Sequence, residues 1–216
     1  MERLELEKVP GRRGAREAGA LLARTFHDDP YAVYSLPDAA TRPAVLAAAF
    51  TWMVGYGQSY GLSLRTPGRL DGVAILLPPS PGHYAPERLA ATGYQRFERA
   101  VGPELWPGLR ERHDAVFGHC EEVIQRVVPE DYFCLDVLGV DAALRGQGVG
   151  SALIQALHDP HGKGGPGSYI LSFQPRNVPF YERNGYEIVA AEVEPGSGLR
   201  FWVMTHPPTP RTRRRR

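Results

Sequence analysis

The chain has 216 residues, with 43% hydrophobic and 23% charged side chains and a formal net charge of +1. This is the composition of an ordinary folded protein with room for one sizeable α/β core. No run approaches the ~20 consecutive apolar residues of a membrane span, so no membrane partner is expected. The opening Met1-Glu2-Arg3-Leu4-Glu5 alternates charged and apolar residues and lacks the uninterrupted apolar stretch of a secretory leader, which makes the cytoplasm the expected location. Only Cys120 and Cys134 are present, one in a helical pattern and one in an apolar strand pattern. Neither a disulfide framework nor a metal site is expected from them.

In chain order, residues 4–9 alternate with a strand's period of two and stop at Pro10-Gly11. Residues 16–26 place Ala20, Leu21, Leu22, Ala23 and Phe26 at helical intervals, and the polar His27-Asp28-Asp29-Pro30 ends that helix. A second helix, apolar around most of its circumference, is expected over residues 42–56, with glycines at 55, 57 and 61 closing it. Residues 62–65 and 72–77 read as an antiparallel hairpin around Thr66-Pro67-Gly68-Arg69, blocked beyond by Pro78-Pro79. The next fifty or so residues, about 79–131, lack strand character and predict a helical insertion. It has one helix over 86–100 and another over 109–128, the latter with Val116, Phe117, Cys120, Val123, Ile124 and Val127 on one face.

Residues 132–140 are the most strand-like stretch and predict the central strand. They run into Arg145-Gly146-Gln147-Gly148-Val149-Gly150 and then a helical run over 151–157. A strand, a glycine loop and a helix start in succession leave several N–H groups unpaired at the positive end of the helix dipole. That is an anion site, most often for phosphate, and glycines let the backbone approach the ligand closely. The Gly-Lys at 162–163 lacks the spacing of a nucleotide P-loop. Residues 169–173 predict a further strand, 178–184 a short helix capped by Gly185, and 186–191 with 199–204 a final strand pair around Pro195-Gly196-Ser197-Gly198. The expectation is a single domain over 1–206. A basic, disordered tail over 207–216 follows, ending in the arginine-rich 211–216, and no nucleic-acid partner is expected because no basic patch with interleaved aromatics accompanies it.

Leu138-Gly139-Val140, then 145–150, then Asn177-Val178-Pro179-Phe180-Tyr181-Glu182-Arg183-Asn184-Gly185-Tyr186 together resemble the GNAT superfamily of acyl-CoA N-acyltransferases. The resemblance is closest over about 131–206. It implies an α/β (α+β) fold of GNAT type: a mixed, mostly antiparallel central sheet with a splayed parallel strand pair, helices on both faces, and here a helical insertion between strands 3 and 4. It implies acetyl-CoA as cosubstrate and direct acetyl transfer to a primary amine of a small molecule or peptide, and it is compatible with a homodimer. A catalytically silent acyl-CoA-binding protein on the same scaffold is the alternative.

Carried over residue by residue, the family's Q/R-x-x-G-x-G pattern falls on Arg145, Gly148 and Gly150. The backbone from Arg145 through Gly146, Gln147, Gly148, Val149 and Gly150 to Ser151 would hold the pyrophosphate of coenzyme A. Leu138 and Val140 match the main-chain contacts to pantetheine, with Gly139 between them counted among the cofactor residues. Tyr181 matches the tyrosine that protonates the departing thiolate, with Phe180 counted on the cofactor side. Asn177 matches an asparagine contact to the cofactor, although it lies four residues before Tyr181 where the family places six or so, and Gln174 is a possible substitute.

The chemistry also needs a group to take the amine proton and donors for the oxyanion. An N–H at Leu138 or Val140 would serve the oxyanion. Asp136 is the leading base, two residues before Leu138 and so expected on the same side of the strand. A carboxylate in so apolar a strand requires a partner. Asp28 and Asp29 are expected to border the acceptor side and attract an ammonium, with capping of the next turn the competing role for one of them.

Overall fold

In a computed structural model, residues 6–80, 83–158 and 165–208 are described. A short strand β1 (Glu7–Lys8) is followed by helices α1 (Gly11–Thr25), α2 (Pro30–Ser35) and α3 (Arg42–Tyr60), then the hairpin β2 (Leu62–Arg65) and β3 (Gly72–Leu77). Next come α4 (Pro86–Ala91), α5 (Tyr94–Val101) and α6 (Trp106–Val127), then β4 (Phe133–Val140) and α7 (Val149–His158). The chain finishes with β5 (Ser168–Ser172), α8 (Val178–Arg183), β6 (Glu187–Val193) and β7 (Arg200–His206). The sheet order is β1-β2-β3-β4-β5-β7-β6, and every pairing is antiparallel except β4 with β5. From residue 209 the expected basic tail lies outside the described residues, as do the Gly-Lys pair and the first five residues.

The helices divide the sheet into three apolar clusters. Leu21, Leu22, Val45, Phe50 and Val54 of α1 and α3 cover Val73, Ile75, Leu77 and Val137 on one face of β3 and β4. On the opposite face, Leu153, Ile154 and Leu157 of α7 and Val178 and Tyr181 of α8 pack on Ala74, Leu76, Leu135 and Ile170. Val116, Cys120 and Val123 of α6 cover Phe173, Phe201 and Val203, so the helical insertion roofs the β5–β7 half of the sheet. The α6 face matches the helical periodicity of the sequence.

Three boundaries differ from the sequence reading for identifiable reasons. First, α3 runs on past Gly55 and Gly57 to Tyr60. A Cβ at Gly57 would stand 2.4 Å from Ser63 Oγ and 2.8 Å from Ile75 Cγ2, so that glycine admits the sheet rather than ending the helix. Second, the single helix expected over 86–100 is broken into α4 and α5 at Gly93, whose φ of +79° is left-handed. Third, α2 forms where only a polar turn was expected, because Asp29 accepts a 3.0 Å hydrogen bond from Tyr31 N–H and Pro30 begins the helix.

Candidate active site

β4 is paired to β3 along its whole length, but its parallel ladder with β5 consists of Phe133 opposite Ser168 and Cys134 opposite Tyr169. From Leu135 onward the two strands diverge. Asp141 N–H bonds to Asp71 C=O at 2.9 Å, which fixes the phase of the antiparallel ladder. Backbone groups alternate along such a ladder, so those of Val137 and Gly139 turn to β3, and those of Leu138 and Val140 turn to the gap left by β5. One is already used, since Val140 C=O accepts a 3.4 Å hydrogen bond from Thr25 Oγ1. Gly139, expected among the cofactor residues, has a packing reason of its own: a Cβ there would lie 2.5 Å from Leu22 Cδ2 of α1.

At the end of β4, Asp141 caps a 3-10 turn over Ala142–Leu144 by accepting from Ala143 N–H at 3.0 Å. Gly146 (φ +78°) and Gly148 (φ +85°) then take left-handed conformations that side chains resist. Ala152 N–H bonds back to Gly148 C=O at 2.9 Å. The first-turn N–H groups of Val149, Gly150 and Ser151 therefore have no acceptor within α7. Gly150 is buried under Phe180, whose Cζ would stand 2.9 Å from a Cβ. The exposed Arg145 donates to Thr25 C=O at 3.4 Å, and Gln147 donates to Ala143 C=O at 3.2 Å. This loop is a cradle of backbone donors with a guanidinium at its rim, and it fits a pyrophosphate.

Beyond β5, Asn177 ends a 3-10 turn over Pro175–Asn177 that passes directly into α8, with its N–H bonded to Gln174 C=O at 3.0 Å. Tyr181 is buried at 4% exposure, its ring packed at 5.1 Å from Phe180 and 5.5 Å from Tyr186. Burial, reinforced by Tyr186 and the Asp29 carboxylate, pushes its phenol well up, so Tyr181 holds its proton. A proton donor must be in that state.

Asp136 departs from the expected geometry. Between β3 and β4 the register changes from Ile75 opposite Val137 to Leu76 opposite Leu135, so Asp136 is the extra residue of a β-bulge. The bulge resets the alternation: Leu135, Leu138 and Val140 pack toward α7 and α8, whereas Cys134 and Val137 pack toward α1 and α3. Asp136 goes with the second set, accepting a 2.6 Å hydrogen bond from Tyr84 Oη, whose ring packs on the α1–α3 cluster. The expectation that Asp136 and Leu138 share a side of the strand is thus corrected. Burial pushes the Asp136 carboxyl up to about 6, opposed by the Tyr84 hydrogen bond.

Asp28 and Asp29 do not form a joint acidic patch. Asp28 is exposed, 3.8 Å from His27 Nε2, and borders an outer groove between α1 and α3 with Ala20, Arg24 and Pro43. Asp29 is committed to capping α2, with its carboxyl raised by burial. Sequence reasoning missed Tyr84 and the aromatic rings behind it, Tyr56 at 4.8 Å and Trp52 at 5.7 Å. Tyr84 sits in an aperiodic, proline-rich segment with no helical or strand pattern to place it. Among the described residues, no group of three or more His, Cys, Asp or Glu is arranged to share a metal ion. No helix among them is long and apolar enough to cross a membrane.

A family model described as an acetyltransferase (GNAT) domain matches residues 111–188, from α6 into β6. Among solved structures, the chain is similar to a histone acetyltransferase HPA2 and related acetyltransferase from Corynebacterium glutamicum, at 17% identity and TM-score 0.60, covering 98% of this chain and 99% of that one. An agmatine N-acetyltransferase matches at 16% identity and TM-score 0.53, with 93% and 97% covered. Arylalkylamine N-acetyltransferase 2 from Aedes aegypti matches at 13% identity and TM-score 0.52, with 94% and 98% covered. The chain has the fold of these acetyltransferases, and its residues 111–188 match the acetyltransferase (GNAT) domain model.

Proposed function

We propose that this protein is an N-acetyltransferase that passes an acetyl group from acetyl-CoA directly to a primary amine. The observation that carries the reading is the arrangement around β4. The glycine loop runs into α7 under Phe180 of α8, and the backbone groups of Leu138 and Val140 open to the gap beside β5, while Asp136 emerges toward α1 and α3. A thioester in that gap and an amine on the Asp136 side can then meet at the same strand.

In this reading, acetyl-CoA supplies the activated acyl group. The N–H groups of Val149, Gly150 and Ser151, with Gly146, Gln147 and Gly148 shaping the loop and Arg145 at its rim, hold its pyrophosphate. Leu138 and Val140 contact the pantetheine through main chain, and one of their N–H groups faces the charge that develops on the carbonyl oxygen. Phe180 and Asn177 flank the cofactor. Asp136, partly buried and ionising near pH 6, takes the proton that the acceptor ammonium must lose, directly or through a water. Tyr181 donates its proton to the departing thiolate. The partly buried Trp52 and Tyr84 offer aromatic faces to an amine on the Asp136 side, with Tyr56 packed behind them. The acceptor is a small-molecule amine, as the names of the agmatine and arylalkylamine neighbours suggest, and the expected setting is cytoplasmic.

The test is thiol release from acetyl-CoA across a panel of polyamines, guanidino-amines such as agmatine, arylalkylamines and peptide N-termini. Turnover on at least one amine, with acetylated product found by mass spectrometry, is the expected result. Tight coenzyme A binding without turnover on any of them would instead identify a silent acyl-CoA-binding protein.

A further inference from the structure

Asp136 is held by a residue that the helical insertion brings in. The bulge turns its carboxylate off the alternation of β4 and into the α1–α3 side. There Tyr84, in the segment that leads from β3 into α4, donates to Oδ2 at 2.6 Å. Among the described residues no arginine, lysine or histidine pairs with Asp136. The ionisable groups facing it are phenols and a thiol: Tyr84, Tyr56 of α3, Cys134 on its own strand and Tyr169 of β5. Burial pushes all four up, so they remain neutral around pH 7. Arg88 of α4, a cation on this side, donates to Ser80 Oγ at 3.3 Å and lies over the Tyr60 ring at 5.2 Å. Tyr84 itself is fixed by ring contacts to Tyr56 and Trp52.

We propose that Tyr84 is the positioning residue for Asp136: its phenol occupies one carboxylate oxygen and leaves the other for the proton of the acceptor amine. The proposal rests on the reading of Asp136 as the base. The bookkeeping is one proton: Asp136 enters as the carboxylate, takes a proton from the ammonium or an intervening water, and becomes the carboxylic acid, while Tyr84 keeps its own proton throughout. A hydrogen bond from a neutral donor stabilises the charged form of the carboxylate, so Tyr84 also keeps the base ionised at neutral pH. Because the donor comes from the segment that begins the insertion, the docking of that insertion and the ionisation of the base are set by one stretch of chain.

The experiment compares wild type, Tyr84→Phe and Asp136→Asn in the full chain by two readouts. The first is the titration of the Asp136 carboxyl carbon by NMR without substrate. It is expected near pH 6 in wild type and about one unit higher in Tyr84→Phe, the size of a lost hydrogen bond to a charged group. The second is kcat/KM against pH. Its acid limb should move up with the carboxyl in Tyr84→Phe, costing about fivefold at pH 6 and recovering by pH 8.5. In Asp136→Asn that limb should vanish with most of the activity. An unchanged Asp136 titration in Tyr84→Phe overturns the positioning role even if Asp136→Asn is inactive. Full activity and an intact acid limb in Asp136→Asn overturn the base itself, and with it this inference.

Discussion

Leu22 of α1 sits directly over Gly139 of β4, so close that a Cβ on the glycine would stand 2.5 Å from Leu22 Cδ2. Leu22 is fully buried. Gly139→Ala should therefore destabilise the fold by about 1–3 kcal/mol through overpacking. Shortening the opposing side chain in Gly139→Ala/Leu22→Ala should cost less than the sum of the two single changes. Urea unfolding of the three variants measures the coupling. Additive losses would mean that α1 shifts to accommodate the methyl group.

Gly148 has open space around it, so crowding within the free protein does not constrain it. Its φ of +85° does. Gly148→Ala should strain the loop by about 1–2 kcal/mol and turn the α7 N-terminus away from its present aim. Calorimetry is expected to show coenzyme A affinity lowered at least about tenfold, with a smaller change in Tm. Unaltered affinity would exclude this loop as the pyrophosphate cradle.

Tyr181→Phe keeps the ring contacts with Phe180 and Tyr186 and removes only the phenolic proton. Turnover should fall by about 100-fold while coenzyme A binding stays within about twofold, the pattern of a lost general acid. Equal kcat in the two proteins would assign Tyr181 to packing alone.

Asp136 makes an activity-free prediction. Its carboxyl titrates near 6 in the fold against an ordinary 3.8, so the folded form binds the proton more tightly than the unfolded chain. Stability is fully retained below about pH 4 and falls as pH rises toward 6. Asp136→Asn should match wild type at pH 4 and exceed it by about 2 kcal/mol at pH 8, a difference that chemical denaturation at the two pH values resolves.

His158 should act in the opposite sense. It lies buried at the end of α7, with Nε2 at 3.0 Å from Tyr186 Oη and 3.2 Å from Ser168 Oγ, and its ring stacks on His206 at 3.8 Å. Burial, reinforced by His206, lowers its pKa from 6.5 to about 4. The unfolded chain therefore takes up a proton first, and stability present above pH 6.5 is lost as pH falls toward 4. Relative to His158→Gln, wild type should lose about 3 kcal/mol across that interval. Parallel pH profiles for the two proteins would place the acid sensitivity elsewhere.

Much of the architecture was legible because short-range patterns carried it. The hairpin strands β2 and β3 fall where alternation and the Thr66-Pro67-Gly68-Arg69 turn place them, and β4, the glycine loop and α7 follow in the expected order. The apolar face of α6 was readable from its spacing alone. Gly57 was misread because a glycine looks the same in sequence whether it ends a helix, contacts a ligand or admits a neighbouring side chain. Only the folded neighbours, Ser63 and Ile75 at Gly57 and Leu22 at Gly139, show that these glycines admit a side chain.

By itself the sequence determined the strand–glycine loop–helix unit at 133–158 and the short helix at 178–183, because backbone conformation, helix capping and hydrophobic period are local properties. Tertiary structure decided which way Asp136 faces and what it touches. A bulge inverts the face of a side chain by adding one residue to one strand, and it exists only in relation to the partner strand. Tyr84, 52 positions away in an aperiodic segment, becomes the partner of Asp136 only when the helical insertion folds back over the sheet.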